Sequence, residues 1–322
     1  MGMLPFITYA AVAGVAGLAN PIPVPGEAGY TPDAHNFVRG MFENDSASGR
    51  DRNYTHGTRL DYAHVMRNGH AWGLSLTQNI YTPETHTHGR VESEHPYCGY
   101  AAIGGAYLWR GVDFGCATEL QVGMTGKASC AGRVQNLLHD TMKISEWDGW
   151  DDQIPSEVTL QLTSRQVWRL RSLELNKGEW QTDGVAYLRE SVGTFRVSGG
   201  VGFSVRLGYN LPSTMPEVGN EATSYGVGVI KRPSYRRDDL SYYVTFGAWV
   251  DYVARDLTVD GGVFHHFDRS CSRTPWQANG HMGLGISYHG IDYYAGVRLM
   301  SRTYRTQDEN SLLGVFSITW SW

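Results

Sequence analysis

Gln135 and His139 lie four residues apart in the stretch Gly132–Trp150 (GRVQNLLHDTMKISEWDGW). On a helix that spacing stacks them one turn above the other on one side. If the helix continues, Glu146 lies two turns beyond His139 on the same side. A His and a carboxylate on one stripe make a candidate catalytic surface, because imidazole takes and returns a proton near neutral pH. Val134, Leu137, Leu138 and Met142 form an apolar face on the same helix, so it also reads as an ordinary amphipathic helix whose His is a packing residue. A second polar group stands earlier in the chain. Phe42-Glu43-Asn44-Asp45 closes a first strand, and Asp51-Arg52-Asn53-Tyr54-Thr55-His56-Gly57 opens a second. A short polar loop joins them, so Asn44, Asp45 and Thr55 should meet at one rim. Taken alone, Asn, Asp and Gly there are also ordinary turn residues.

The elements that must hold these groups are strands. Period-two alternation begins near Asn36 and recurs to the end of the chain. Phe195, Val197, Val201, Phe203, Val205, Leu207 and Tyr209 fall on one face, opposite Arg196, Ser198, Ser204 and Arg206. This run exceeds the five or six residues typical, roughly, of a soluble strand and covers the roughly 9–11 of a tilted membrane strand. Similar contrasts appear around Phe114–Val122, Val244–Asp251, His281–Tyr288, Ile291–Leu299 and Leu312–Trp322. The polar faces carry charge and glycine, which suits a wet or tightly filled lumen. Aromatics gather near strand ends (Trp109, Trp168, Tyr209, Tyr252, Tyr288, Trp320, Trp322), as interfacial girdles do. The expected fold is all-β: an antiparallel transmembrane β-barrel of about twelve strands with a short helix in an extracellular loop. Short turns at Trp109–Gly111, Tyr209–Pro216 and His289-Gly290 should face the periplasm. Longer loops at Ser46–Asn53, Pro83–His95, Thr125–Gln153 and Asp256–Asn279 should face outward.

Composition fits this reading. The 322 residues include 19 Tyr, 10 Trp, 10 Phe and 39 Gly, and the mean hydropathy of −0.34 conceals lipid-facing residues that alternate with polar ones. A formal net charge of −5 provides no basic field for nucleic acid. There is no P-loop, dinucleotide fingerprint or zinc spacing. Residues 1–19 read as a signal peptide, although no Lys or Arg precedes the apolar run. Residues 20–35 form a Pro/Gly-rich leader, and 36–322 the barrel. Four cysteines are too few for a disulfide-built fold of this length. Cys130 and Cys271 fall in predicted loops, where a bridge between them is one option. The second half, Glu157–Trp322, reads mainly as scaffold, and His265, His266 and His281 show no partner spacing.

The order of the polar pieces is informative. Asn44-Asp45 ends strand one, and the Asn53-Tyr54-Thr55-His56-Gly57 segment follows. Gln78-Asn79-Ile80-Tyr81-Thr82-Pro83 ends strand three. Then come Val134-Gln135 with His139 on a loop helix, and Trp150-Asp151-Asp152-Gln153-Ile154. This series resembles the outer-membrane lipid A 3′-O-deacylase family, in motifs over Asn44–Ile154 and in strand pattern to Trp322. The resemblance implies a twelve-stranded barrel in the bacterial outer membrane, with the active site between the barrel wall and a loop helix. It implies Ca²⁺-dependent removal of the ester-linked 3′ acyloxyacyl group of lipid A. Carried over by motif, His139 would be the base that activates water. Asn44, Asp45, Thr55 and Gln135 would surround the ester and the metal, with Asn44 and Asp45 as metal ligands.

Two departures matter. The family places a Glu six residues after the His, where this chain has Ser145, so Glu146 becomes the candidate metal ligand. A family Lys in the loop after strand three has no Lys counterpart. His88 or Arg90 is nearest for contact with lipid A phosphates. The expected partners are lipopolysaccharide and other outer-membrane lipids, with no nucleic acid and a monomeric barrel. The alternatives are an outer-membrane phospholipase-type esterase, or a non-catalytic barrel serving as pore or anchor.

Overall fold

A computed structural model describes residues 35–45, 52–66, 70–85, 93–111, 113–143, 149–177, 179–212, 214–216, 240–265, 267 and 271–322. Twelve long strands pair antiparallel around a full circle: β1 (Asn36–Asn44), β2 (Asn53–Val65), β3 (His70–Thr82), β4 (Cys98–Arg110), β5 (Phe114–Thr125), β6 (Val158–Arg169), β8 (Trp180–Gly193), β9 (Arg196–Tyr209), β10 (Ser241–Asp256), β11 (Trp276–Tyr288), β12 (Ile291–Met300) and β13 (Ser311–Ser321). The ring closes between β13 and β1, from Phe37↔Ser321 to Asn44↔Gly314, so first and last strands leave no open edge. A short β7 (Leu175–Lys177) pairs with the start of β8. The signal-peptide expectation (1–19) and the leader expectation (20–35) lie outside the described residues except for His35, whose backbone N–H donates to the Trp322 carbonyl at 2.9 Å.

The pleat sorts the side chains as the alternation predicts. Leu74 and Leu76 on β3, Ile103 on β4, Val201 and Phe203 on β9 and Leu284 on β11 stand exposed on the outer wall. A bilayer would cover these apolar faces. The inward face is charged. Arg59 is fully buried and donates to Asp61 (2.7 Å), Glu119 (2.8 Å) and Thr77 (3.1 Å). Arg39 binds Asp61 from β1, and Arg206 binds Asp183 across β8 and β9. Arg189–Asp251, Arg196–Asp256 and Arg298–Glu43 continue the pattern around the lumen. Each of these guanidinium groups thus meets a carboxylate. A cavity of about 100 Å³ remains beside Arg189, Arg196, Asp251, Asp256 and Arg298, room for several waters. At the end where Asn36 meets Trp322, aromatics cluster in ring contacts: Trp109–Phe114–Trp168, Trp180–Tyr209–Tyr242 and Trp320–Trp322.

Three expectations need correction. Tyr209–Pro216 is not a short periplasmic turn, because β10 begins only at Ser241. The chain instead folds back into the barrel. Arg206 donates to the Pro212 and Thr214 carbonyls and to Thr214 Oγ1, and Met215 is buried beside Phe37, Tyr187 and Trp249. The lumen's charge therefore draws Pro212, Thr214 and Met215 inward. Cys130 and Cys271 do not pair: all four cysteines are free thiols, with Cys130 exposed and Cys98, Cys116 and Cys271 buried. Cys271 turns its thiol to the Glu94 carbonyl instead. The helix is also shorter than its sequence pattern. It spans Ala131–Met142 (α1) and stops where Lys143 adopts φ 58°, so its spacing does not carry on to Glu146.

Removing the guanidinium from the Arg59 cluster takes the cation from the buried Glu119 carboxylate and leaves Asp61 to Arg39 alone. Arg59→Met is expected to destabilise the barrel by about 3–5 kcal/mol, read as a lower temperature for its heat-modifiable shift on gels. A water-soluble maleimide should label the folded protein at Cys130 and leave Cys98, Cys116 and Cys271 unmodified, as peptide mapping would report.

Candidate active site

The site is built on the outer face of four strand ends. Register places Asn44 opposite His56, His56 opposite Ile80, and Ile80 opposite Gly99, one row across β1 to β4. This row continues the exposed face of Leu74 and Leu76, since residues two apart share a face. Yet Ile80 is fully buried. What covers it is α1, which packs against β3 and β4. Ile80, Tyr97, Ala131 and Trp150 form a small apolar cluster with Val134 against it. Gln78 Nε2 donates to the Ser129 carbonyl (3.0 Å), tying the start of the helix to the wall. Gly99 makes the approach possible: a Cβ there would fall 2.1 Å from Ser129 Oγ and 2.4 Å from Ala131 Cβ.

α1 faces this wall in an unusual way. Ala131, Gln135 and His139, spaced four apart, are its buried side, with Gln135 and His139 only 2% and 3% exposed. Leu137 is 65% exposed, while Val134 and Leu138 are half-buried. The expected apolar face is thus not the packing face; the Gln–His stripe is. Polar side chains on a packing face are costly unless they meet partners or serve function. Gln135 Oε1 accepts the Trp150 indole N–H at 2.8 Å. Gln135 Nε2 is buried with no acceptor among the described residues.

The strand-end group forms through a bulge. The β2–β3 register shifts between Tyr54 and His56, leaving Thr55 as the extra residue. Bulges at barrel rims commonly re-aim a side chain beside a site. Thr55 Oγ1 lies 2.6 Å from Thr82 Oγ1. Asn53 precedes it at φ 64°, held by Tyr304, whose hydroxyl donates to Asn53 Oδ1 at 2.8 Å. Burial, reinforced by the Glu84 charge, pushes the Tyr304 hydroxyl well above the usual phenol range, so it remains a donor. Asp45 is buried directly after β1, and its Oδ2 accepts the Arg52 backbone N–H at 2.6 Å. On the inner side of the same strand ends, Glu43 accepts from Tyr54 at 2.5 Å and pairs with Arg298 at 3.1 Å. That inner brace holds β1 and β2 beneath the outer group.

Asn44, Asp45 and Thr55 are therefore assembled at one rim, and Gln135 and His139 are turned together toward the wall beside it. Glu146, His88 and Arg90 lie outside the described residues. Sequence reasoning passed over His56, which shares the outer row with Asn44 and packs its ring on Phe42 at 4.7 Å. Parity with Asn44 was the signal that could have found it. In the sequence Trp150 stands only as the first residue of the Trp150–Ile154 motif, and its contact with Gln135 is a matter of tertiary packing. Among the described residues, no three or more His, Cys, Asp or Glu side chains group as a metal centre. The rim does offer oxygen: the Asn44 amide, the Asp45 carboxylate and the Thr55 hydroxyl. Such a donor set suits a hard cation such as Ca²⁺, which accepts neutral oxygens and water alongside few carboxylates.

Comparison with known proteins agrees with this architecture. LpxR from Salmonella typhimurium has a similar structure, with a TM-score of 0.74 and 16% identity, covering 89% of this chain and all of that one. The β domain of the Bordetella autotransporter BrkA (TM-score 0.44, 10% identity, 90% of this chain and 98% of that one) and the KdgM porin (0.38, 9%, 89% and 99%) are more distant. No curated protein sequence matches the chain. The family model described as outer membrane protein LpxR matches residues 6–322. Nearly the whole chain is thus accounted for by one family: it belongs to the outer membrane protein LpxR family.

Proposed function

We propose that this barrel hydrolyses the ester holding the 3′-linked acyloxyacyl group of lipid A in the outer leaflet, with Ca²⁺ as cofactor. The observation that carries the reading is the inverted helix: Gln135 and His139 are the buried side of α1, which packs against β3 and β4. A site on the outer face opens to the bilayer, so substrate need not leave the membrane to reach it. Exposed Leu137 on the helix and Leu76 on the wall offer apolar flanks for acyl chains.

His139 takes a proton from a water as its oxygen attacks the ester carbonyl. Gln135 Nε2 donates a hydrogen bond to the oxygen on which negative charge grows. Collapse of the tetrahedral intermediate expels the sugar oxygen, which takes the proton back from the imidazolium. The products are a free carboxylic acid and a 3′-hydroxyl. Asn44, Asp45 and Thr55 would hold the cation and orient the ester, with Glu146 as a further carboxylate from the segment after the helix. Ca²⁺, when bound there, supplies Lewis-acid polarisation of the ester carbonyl. His88 or Arg90 would meet the lipid A phosphates.

Mass spectrometry of lipid A from cells expressing the protein is the direct test, with loss of one 3′ acyloxyacyl unit as the expected result. Release of fatty acid from glycerophospholipid instead would favour the phospholipase-type reading. His139→Ala should lower the rate by about a hundredfold to ten-thousandfold while leaving heat-modifiable migration intact. Unchanged lipid A processing by this variant would make the barrel non-catalytic or the base another residue. Treatment of the detergent-solubilised protein with EGTA should abolish turnover, and Ca²⁺ should restore it where Mg²⁺ does not. Full activity in EGTA would remove the metal from the reaction.

A further inference from the structure

We infer that Trp150 is a positioning residue that locks the orientation of the Gln135 amide, and so determines which of its two ends meets the reacting ester. This deepens the deacylase reading and rests on it for the kinetic part of its test.

An indole N–H can only donate, whereas a Gln amide carries an acceptor at one end and donors at the other. The two ends are nearly isosteric, so an unrestrained amide can present either. Trp150 Nε1 lies 2.8 Å from the far end of Gln135, which must therefore be Oε1. The opposite end is then Nε2 by chemistry and not by choice of rotamer. Nε2 is buried and meets no acceptor among the described residues. A buried unsatisfied donor is a standing cost that a folded chain normally removes. It becomes favourable only when an acceptor arrives, and a developing oxyanion is a strong one. Were the amide reversed, the carbonyl oxygen would point at that negative charge and oppose it.

The indole itself is held from several sides. Its ring lies against Gly132, where a Cβ would come within 2.9 Å of it, so α1 can seat directly on the ring face. Tyr97 packs at 5.0 Å between centroids, and Gln153 Nε2 donates to the Trp150 carbonyl at 2.6 Å. Trp150 belongs to the segment after the helix and not to the helix itself. The lock thus couples the helix to the segment that follows it.

Trp150→Phe keeps an aromatic ring and removes only the donor. It should lower kcat by about ten- to a hundredfold and leave KM within about twofold, since ground-state binding of the acyl chains is untouched. The decisive comparison is with Gln135→Leu. If Trp150 acts through Gln135, the double variant should be no slower than Gln135→Leu alone. Losses that multiply in the double variant, or a wild-type kcat for Trp150→Phe, would overturn the inference. A second measurement needs no turnover. In protein labelled with ¹⁵N at tryptophan, the Trp150 indole N–H should be slow to exchange, and should lose that protection in Gln135→Leu. An indole that exchanges equally fast in both proteins would sink the lock even if deacylation is established. A protected indole in a protein with no deacylase activity would instead sink the deacylase reading alone.

Discussion

Closure of the β-ladder between the first and last strands is the constraint on which everything else rests. In a closed barrel each strand is paired on both sides, so no strand can slip without breaking two ladders. Slipping one residue would turn every side chain to the other face. Here that would bring Asn44 into the lumen and expel Glu43 onto the lipid wall. The pairing Asn44↔Gly314 on one side and Asn44↔His56 on the other prevents it. Glu43 faces inward and finds Tyr54 and Arg298; Asn44 faces outward beside Asp45. A single peptide step thus separates a structural carboxylate from a candidate catalytic amide.

The lumen contributes rigidity of a particular kind. Arg59, Asp61, Glu119 and Arg39 interlock at short distance, and Arg206 with Asp183 draws a connecting segment back inside. Such buried pairs contribute little net stability against an apolar alternative, but they are very sensitive to loss of one partner. Their consequence is a stiff wall. A stiff wall suits a site placed on its outer surface, because the strand ends that carry Asn44 and Thr55 cannot yield when a lipid chain presses against them.

The helix shows the opposite economy. Its pattern permits Val134, Leu137 and Leu138 to pack, which would bury more apolar area. The molecule instead buries Gln135 and His139 and leaves Leu137 outside. In water this would be a poor choice. Beside a bilayer the outer side of the helix meets hydrocarbon, so an exposed Leu there costs nothing, and the polar stripe is free to face the wall. The bulge at Thr55 and the left-handed Asn53 add local strain at the same rim. Irregular backbone and inverted amphipathicity occur together where the chemistry is proposed.

Much of this was legible in the residues. Alternation over Phe195–Tyr209 and its counterparts determined a barrel, because side chains of a strand must take turns between two faces and the two faces here differ in chemistry. The candidate site was marked by the family resemblance that the order Asn44-Asp45, Thr55, Gln135 and His139 carries, since the spacings alone fit ordinary turns and an ordinary helix equally well. Three matters were decided only by the tertiary structure. Pro212 and Thr214 turn back into the barrel because the buried Arg206 needs acceptors there. The helix stopped at Met142, where a left-handed Lys143 ends it, and no periodic pattern encodes that stop. Which side of the helix is buried could not be read from its amphipathicity, because that pattern says how the sides differ and not which solvent each will meet. Only the packed wall, with Gly99 cleared for the approach and Trp150 set against Gln135, settles that the polar side turns inward.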